Sequence, residues 1–122
     1  MRLLYVEDDR LNTMLFEAAC ADATGIELQC VGSGAEALEC VATWSPDLLV
    51  IDLHLPDTDG YRLLHALRTA LRRPDLPALL CTAEDPSAVR AEAAAAGFQG
   101  CLDKPVDAST VQRLMSHRRP PP

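Results

Sequence analysis

Lysine is almost missing from this chain. Its 122 residues carry ten arginines and a single lysine, Lys104. Cations of either kind are scarce, with eleven Lys and Arg against eighteen Asp and Glu, for a net charge of -7. That balance disfavours nucleic acid or an anionic membrane as a direct ligand, because both are bound through clustered cations. Long apolar runs are absent, so nothing approaches the length of a membrane span. The N-terminus lacks a signal-peptide pattern, and the expected location is cytoplasmic. Closely paired cysteines are absent as well. Cys20, Cys30, Cys40, Cys81 and Cys101 form no C-x-x-C spacing. They read as small thiols in a reducing compartment, since zinc would need closely spaced ligand pairs. The length leaves room for one core and one domain.

What is present is a series of apolar runs that each stop at a polar residue. Leu48-Leu49-Val50-Ile51 ends at Asp52. An unbroken run of this kind reads as a strand buried on both faces of a parallel sheet. Pro56 and Asp57-Thr58-Asp59-Gly60 then supply loop chemistry. Leu3 to Val6 stops at Glu7-Asp8-Asp9, Ala78 to Cys81 at Thr82, and Phe98 to Leu102 at Asp103-Lys104-Pro105. Ile26 to Val31 alternates and reads as a further strand.

Helical signals separate these runs. Leu11, Met14, Leu15, Ala18 and Ala19 recur at helical spacing, with Gly25 as the closing glycine. Ser33 and Glu36 fit a capping box ahead of an apolar face of Ala37, Leu38, Val41 and Ala42. A third helix runs from Gly60 to about Leu71. Asp85-Pro86 opens an alanine-rich fourth that Gly97 ends, and Asp107 caps a fifth carrying Ala108, Val111, Leu114 and Met115. Five strand–helix repeats imply an α/β fold: a parallel five-stranded sheet, doubly wound with helices on both faces.

In such a sheet every strand's C-terminal end opens on one edge, where ligands bind. A lone acid there would serve as a cap or turn residue. Here Glu7, Asp8, Asp52, Thr82 and Lys104 all stand at strand ends, so they can converge. Several carboxylates close together repel one another. A hard divalent cation such as Mg²⁺ relieves that, preferring oxygen ligands and keeping waters for a phosphate-bearing partner. One carboxylate can then attack phosphorus. Lys104 would neutralise charge on the transferred phosphoryl, and the Thr82 hydroxyl would donate to one of its oxygens.

Val6-Glu7-Asp8-Asp9, Asp52-Leu53-His54-Leu55-Pro56-Asp57-Thr58-Asp59-Gly60, Cys81-Thr82-Ala83 and Asp103-Lys104-Pro105 together resemble the receiver domain of two-component response regulators. The resemblance covers about residues 2–117, which implies one domain over 1–117 and leaves 118–122 as a proline-rich tail or linker. It implies a flavodoxin-like (βα)5 fold with strand order 2-1-3-4-5. It implies Asp52 as phosphoacceptor, with Thr82 and Lys104 holding the phosphoryl. Mg²⁺ would be bound by the side chains of Asp8 and Asp52 and by the backbone carbonyl of His54, with Glu7 reaching it through water. Lys104-Pro105 would be a cis bond. The donor would be a histidine kinase or histidine phosphotransfer protein. The output surface would be helix four, strand five and helix five, open to a homodimer or an output domain. The expected function is a phosphorelay module that catalyses its own phosphorylation and dephosphorylation rather than an enzyme.

Several positions depart from the family pattern. Glu7 stands where Asp is common. Asp9 reads as a helix cap rather than a ligand. Cys101 stands where the family usually has Tyr or Phe, so no ring is there to turn inward, and a redox role would need a lowered thiol pKa. His54 and Glu84 fall where the family tunes the lifetime of its phosphoryl group. Two other readings stand beside the leading one. A degenerate receiver acting as a phosphorylation-independent scaffold has only Cys101 in its favour. An Mg²⁺-dependent phosphohydrolase usually carries a second acid two residues after its nucleophile, and that position is His54. His65 and His117 have no identifiable partner. The chain reads as a stand-alone receiver or, slightly favoured, a module of a longer protein.

Overall fold

The computed structural model describes residues 1–116 apart from Asp22 and Thr24, and only the backbone at Pro86, Leu114, Met115 and Ser116. The expected tail at 118–122, His117 and the side chains of Leu114 and Met115 lie outside the described residues. Those described form β1 (Arg2–Val6), α1 (Arg10–Cys20), β2 (Glu27–Val31), α2 (Gly34–Val41), β3 (Leu48–Asp52), α3 (Gly60–Leu71), β4 (Ala78–Thr82), α4 (Pro86–Ala96), β5 (Gly100–Asp103) and α5 (Ala108–Ser116). The sheet order is β2-β1-β3-β4-β5, and every pairing is parallel.

The two-residue period of a strand divides the interior into two cores. Leu4, Val6, Leu49 and Ile51 face α2, α3 and α4, where they meet Ala37, Leu63, Leu64, Leu67 and Ala93. Leu3, Tyr5, Leu48 and Val50 face α1 and α5, where they meet Phe16, Cys20 and Val111. Both sides of β3 are therefore dry, and all five of its residues are buried. A strand covered on two faces has no use for alternation, which explains its unbroken apolar run.

Two helices turn differently from their sequence pattern. On α1 the buried side chains are Phe16 and Cys20, while Leu11, Met14 and Leu15 are exposed. The Phe16 ring stacks on Tyr5 with centroids 4.1 Å apart, and this large contact sets the rotation of the helix. Gly25 does not close α1. That helix ends at Cys20 with Ala21 as its C-cap, and Gly25 adopts a positive φ of 86° in the connection before β2. On α2 only one edge of the expected apolar face is covered. Ala37 and Val41 are buried, whereas Leu38 and Ala42 are exposed. Leu38→Gln should therefore change the unfolding free energy by less than about 0.5 kcal/mol, measured by urea titration, as at other exposed sites.

At the last strand the sequence pattern starts two residues early. The N–H of Phe98 closes α4 onto the Ala93 carbonyl, after the left-handed turn at Gly97 (φ 103°), so the first backbone bond to β4 is from Gln99 N–H to the Ala78 carbonyl at 2.9 Å and the paired register begins at Gly100.

Candidate functional site

The C-terminal edge gathers its polar residues because pairing continues past the strand ends. The N–H of Glu7 donates to the Val31 carbonyl at 2.9 Å, and that of Lys104 to the Thr82 carbonyl at 3.2 Å. Glu7 directly follows β1, Asp52 is the last residue of β3 and Thr82 the last of β4, and all three are buried. Lys104 directly follows β5, and its bond to Pro105 is cis.

At the centre sits the lysine ammonium. Lys104 Nζ lies 2.7 Å from Glu7 Oε1 and 3.0 Å from Asp52 Oδ1, with only 11% of its side chain exposed. Carboxylate oxygens of Glu7, Asp8 and Asp52 all lie within 4.8 Å of one another, with Asp8 exposed. A cleft of about 540 Å³ opens over them, lined by Asp9, Asn12, His54, Thr82, Glu84 and Lys104 among others. The Thr82 hydroxyl accepts the Glu84 N–H at 3.0 Å, fixing the turn after β4. Across the mouth, His54 Nε2 and Glu84 Oε1 are 2.8 Å apart, both well exposed.

One ammonium does not balance three carboxylates. Burial pushes the Glu7 carboxyl above the ordinary glutamate range, and its neighbour Asp52 pushes it further, with Lys104 acting in the opposite sense. Burial alone would pull Lys104 down, but the Glu7 and Asp52 carboxylates outweigh it and hold the ammonium above its usual range. Beneath the site burial raises the Tyr5 phenol and pushes the Cys81 thiol up to about 12, so neither adds charge. The three carboxylates form a cluster of oxygen donors with excess negative charge, which suits a hard divalent cation.

The chain matches the response regulator receiver domain over residues 3–116. It belongs to that family. Among curated relatives, this receiver is 38% identical over 106 residues to the response regulator MprA of Mycobacterium leprae, covering 86% of the chain and 45% of that protein. It is 36% identical over 88 residues to the luminescence regulatory protein LuxO of Vibrio campbellii, covering 72% of the chain and 19% of that protein. It thus spans less than half the length of either. Its fold superposes on the receiver domain of the sensor histidine kinase PA1611 from Pseudomonas aeruginosa with a TM-score of 0.80 at 26% identity, over 95% of this chain and 94% of the other. That structure has a magnesium ion coordinated in its active-site cleft.

Asp9 caps α1, accepting the Asn12 N–H at 3.1 Å. Burial raises the Cys101 thiol, so it lacks the lowered pKa that redox chemistry requires. Asp57 is the residue that sequence reasoning passed over. It lies outside the carboxylate cluster and binds α2 instead, accepting from Gly34 N and Ala35 N at 2.9 Å each. Its only trace in the sequence is a glycine at 34, where a Cβ would come within 2.7 Å of Thr58 Cγ2.

Proposed function

We propose that this receiver accepts a phosphoryl group on Asp52 from a phosphohistidine, carried by a histidine kinase or a histidine phosphotransfer protein. The observation behind this reading is the Lys104 ammonium bridging Glu7 and Asp52 beside Asp8 and Thr82 in one open cleft. A site already holding one cation among three acids is arranged for charge neutralisation, the main requirement of phosphoryl transfer.

Asp8 and Asp52 side chains and the His54 carbonyl would hold Mg²⁺, with Glu7 reaching it through water. Bound there, magnesium supplies charge neutralisation and a template for the phosphoryl oxygens. The protein's own groups do the rest. A carboxylate oxygen of Asp52 bonds to phosphorus as the donor's P–N bond breaks, and the electron pair stays on the imidazole nitrogen, which takes up a proton. Lys104, already 3.0 Å from Asp52, pairs with the incoming charge. The Thr82 hydroxyl, whose oxygen is fixed by the Glu84 N–H, donates to a phosphoryl oxygen. Water later cleaves the acyl phosphate and returns the carboxylate. The new charge biases the loops after β4 and β5, and through them the α4–β5–α5 face that meets an output domain or a second copy.

Incubation with acetyl phosphate and Mg²⁺ should add one phosphoryl group per chain, mapped by peptide mass spectrometry to the segment carrying Asp52. A chelator should prevent the gain. No gain, or a label on another segment, overturns the reading.

A further inference from the structure

The β3–α3 loop, residues 53–59, is closed at its base by its own backbone. The N–H of Gly60 donates to the Leu53 carbonyl at 2.9 Å, His54 bridges Asp59, and the N–H of Leu55 donates to the Thr58 carbonyl at 3.2 Å. Its apex is held from outside. Asp57 Oδ1 and Oδ2 accept the N–H groups of Gly34 and Ala35, the first two residues of α2. Ser33 caps the same helix separately through Glu36 N at 3.1 Å. Helix starts leave such N–H groups without partners, and their dipole favours a carboxylate. The two backbone bonds hold the Asp57 carboxyl below the ordinary aspartate range, so it stays charged at neutral pH. Gly34 belongs to the same device. A Cβ there would lie 2.7 Å from Thr58 Cγ2 and 3.4 Å from Asp57 Oδ1, crowding the Thr58 methyl and the Asp57 carboxylate at the apex.

We propose that Asp57 is a positioning residue for phosphoryl transfer: by locking the loop apex to the N-terminus of α2, it holds the His54 backbone carbonyl in place for Mg²⁺. This rests on the magnesium site proposed above, because the loop matters to the chemistry only if its carbonyl is a ligand. Outer residues that orient metal ligands typically contribute 10–100-fold to metal affinity.

The test is a titration of the full chain with MgCl₂ alone, followed by amide NMR shifts around Thr82. Asp57→Ala and Gly34→Ala break the same contact from opposite sides, and each should weaken Mg²⁺ binding at least about tenfold. Asp57→Asn retains one acceptor and should lie between them and the wild type. Ser33→Ala removes a cap of α2 without touching the loop, so it should lower the thermal midpoint and leave Mg²⁺ affinity unchanged. Wild-type affinity in Asp57→Ala overturns the assignment, as does an equal loss of affinity in Ser33→Ala. A wild type that binds no Mg²⁺ overturns the magnesium site itself, a failure visible without any variant.

Discussion

Asp52→Asn is expected to take up no phosphoryl group under conditions where the wild type takes up one. The amide carries no nucleophilic oxygen of comparable strength, and removing a nucleophile costs several powers of ten in rate. The substitution also takes one of three carboxylates out of the cluster, so Mg²⁺ affinity should fall. Stability should move the other way. In the wild type, Asp52 is one of the groups that raise the Glu7 carboxyl. A carboxyl whose folded pKa is raised stabilises the fold below its unfolded pKa, and that contribution is lost as pH rises through the folded value. In the metal-free wild type the Glu7 contribution should therefore be lost as pH climbs above the ordinary glutamate range. Asp52→Asn leaves Lys104 paired with Glu7 alone, so this slope should flatten. Phosphorylation by acetyl phosphate and urea unfolding across pH measure the two effects. Undiminished labelling of Asp52→Asn would place the acceptor elsewhere.

The parts of this architecture that were legible in the sequence share one cause. Strand β3 announces itself because both its faces are buried, and every strand end that matters breaks an apolar run with a charge or a hydroxyl. The parallel order then brings Glu7, Asp52, Thr82 and Lys104 to one edge with no information beyond topology. What was not legible depends on which side of an element faces a neighbour. Leu11 and Leu15 have helical spacing, yet the Tyr5–Phe16 stack turns them outward. Leu38 has the hydrophobicity of a core residue but lies just beyond the strip of α2 that meets the sheet. Asp57 looks like one more acid in an acidic loop. Only the tertiary approach of α2 shows that its carboxylate faces two backbone amides. Periodicity identifies an element, while its rotation is set by the largest contact it makes.

Lys104→Met should produce the largest stability change of any single substitution at the site. The ammonium is 11% exposed and its partners Glu7 and Asp52 are 1% and 7% exposed in their side chains. Removing one partner of a buried ion pair costs roughly 3–5 kcal/mol, because it leaves the remaining charge uncompensated, and the open cleft above these carboxylates puts the cost at the lower end. Two carboxylates would be stranded here, against a total stability of about 5–15 kcal/mol for a domain. Glu7 relieves part of that cost by holding a proton. Lys104 is the group that lowers its pKa in the wild type, so the variant raises the carboxyl further. By the same sign rule, the variant should come closest to wild-type stability in acid and fall away from it as pH approaches neutrality. Added Mg²⁺ should recover more stability in Lys104→Met than in the wild type, since a divalent cation can meet both stranded carboxylates. Urea unfolding with chelator and with Mg²⁺, at two pH values, measures all of this. A variant as stable as the wild type at neutral pH in chelator would show that the ammonium does not balance the buried acids, and the charge-neutralisation account of the site would fall with it.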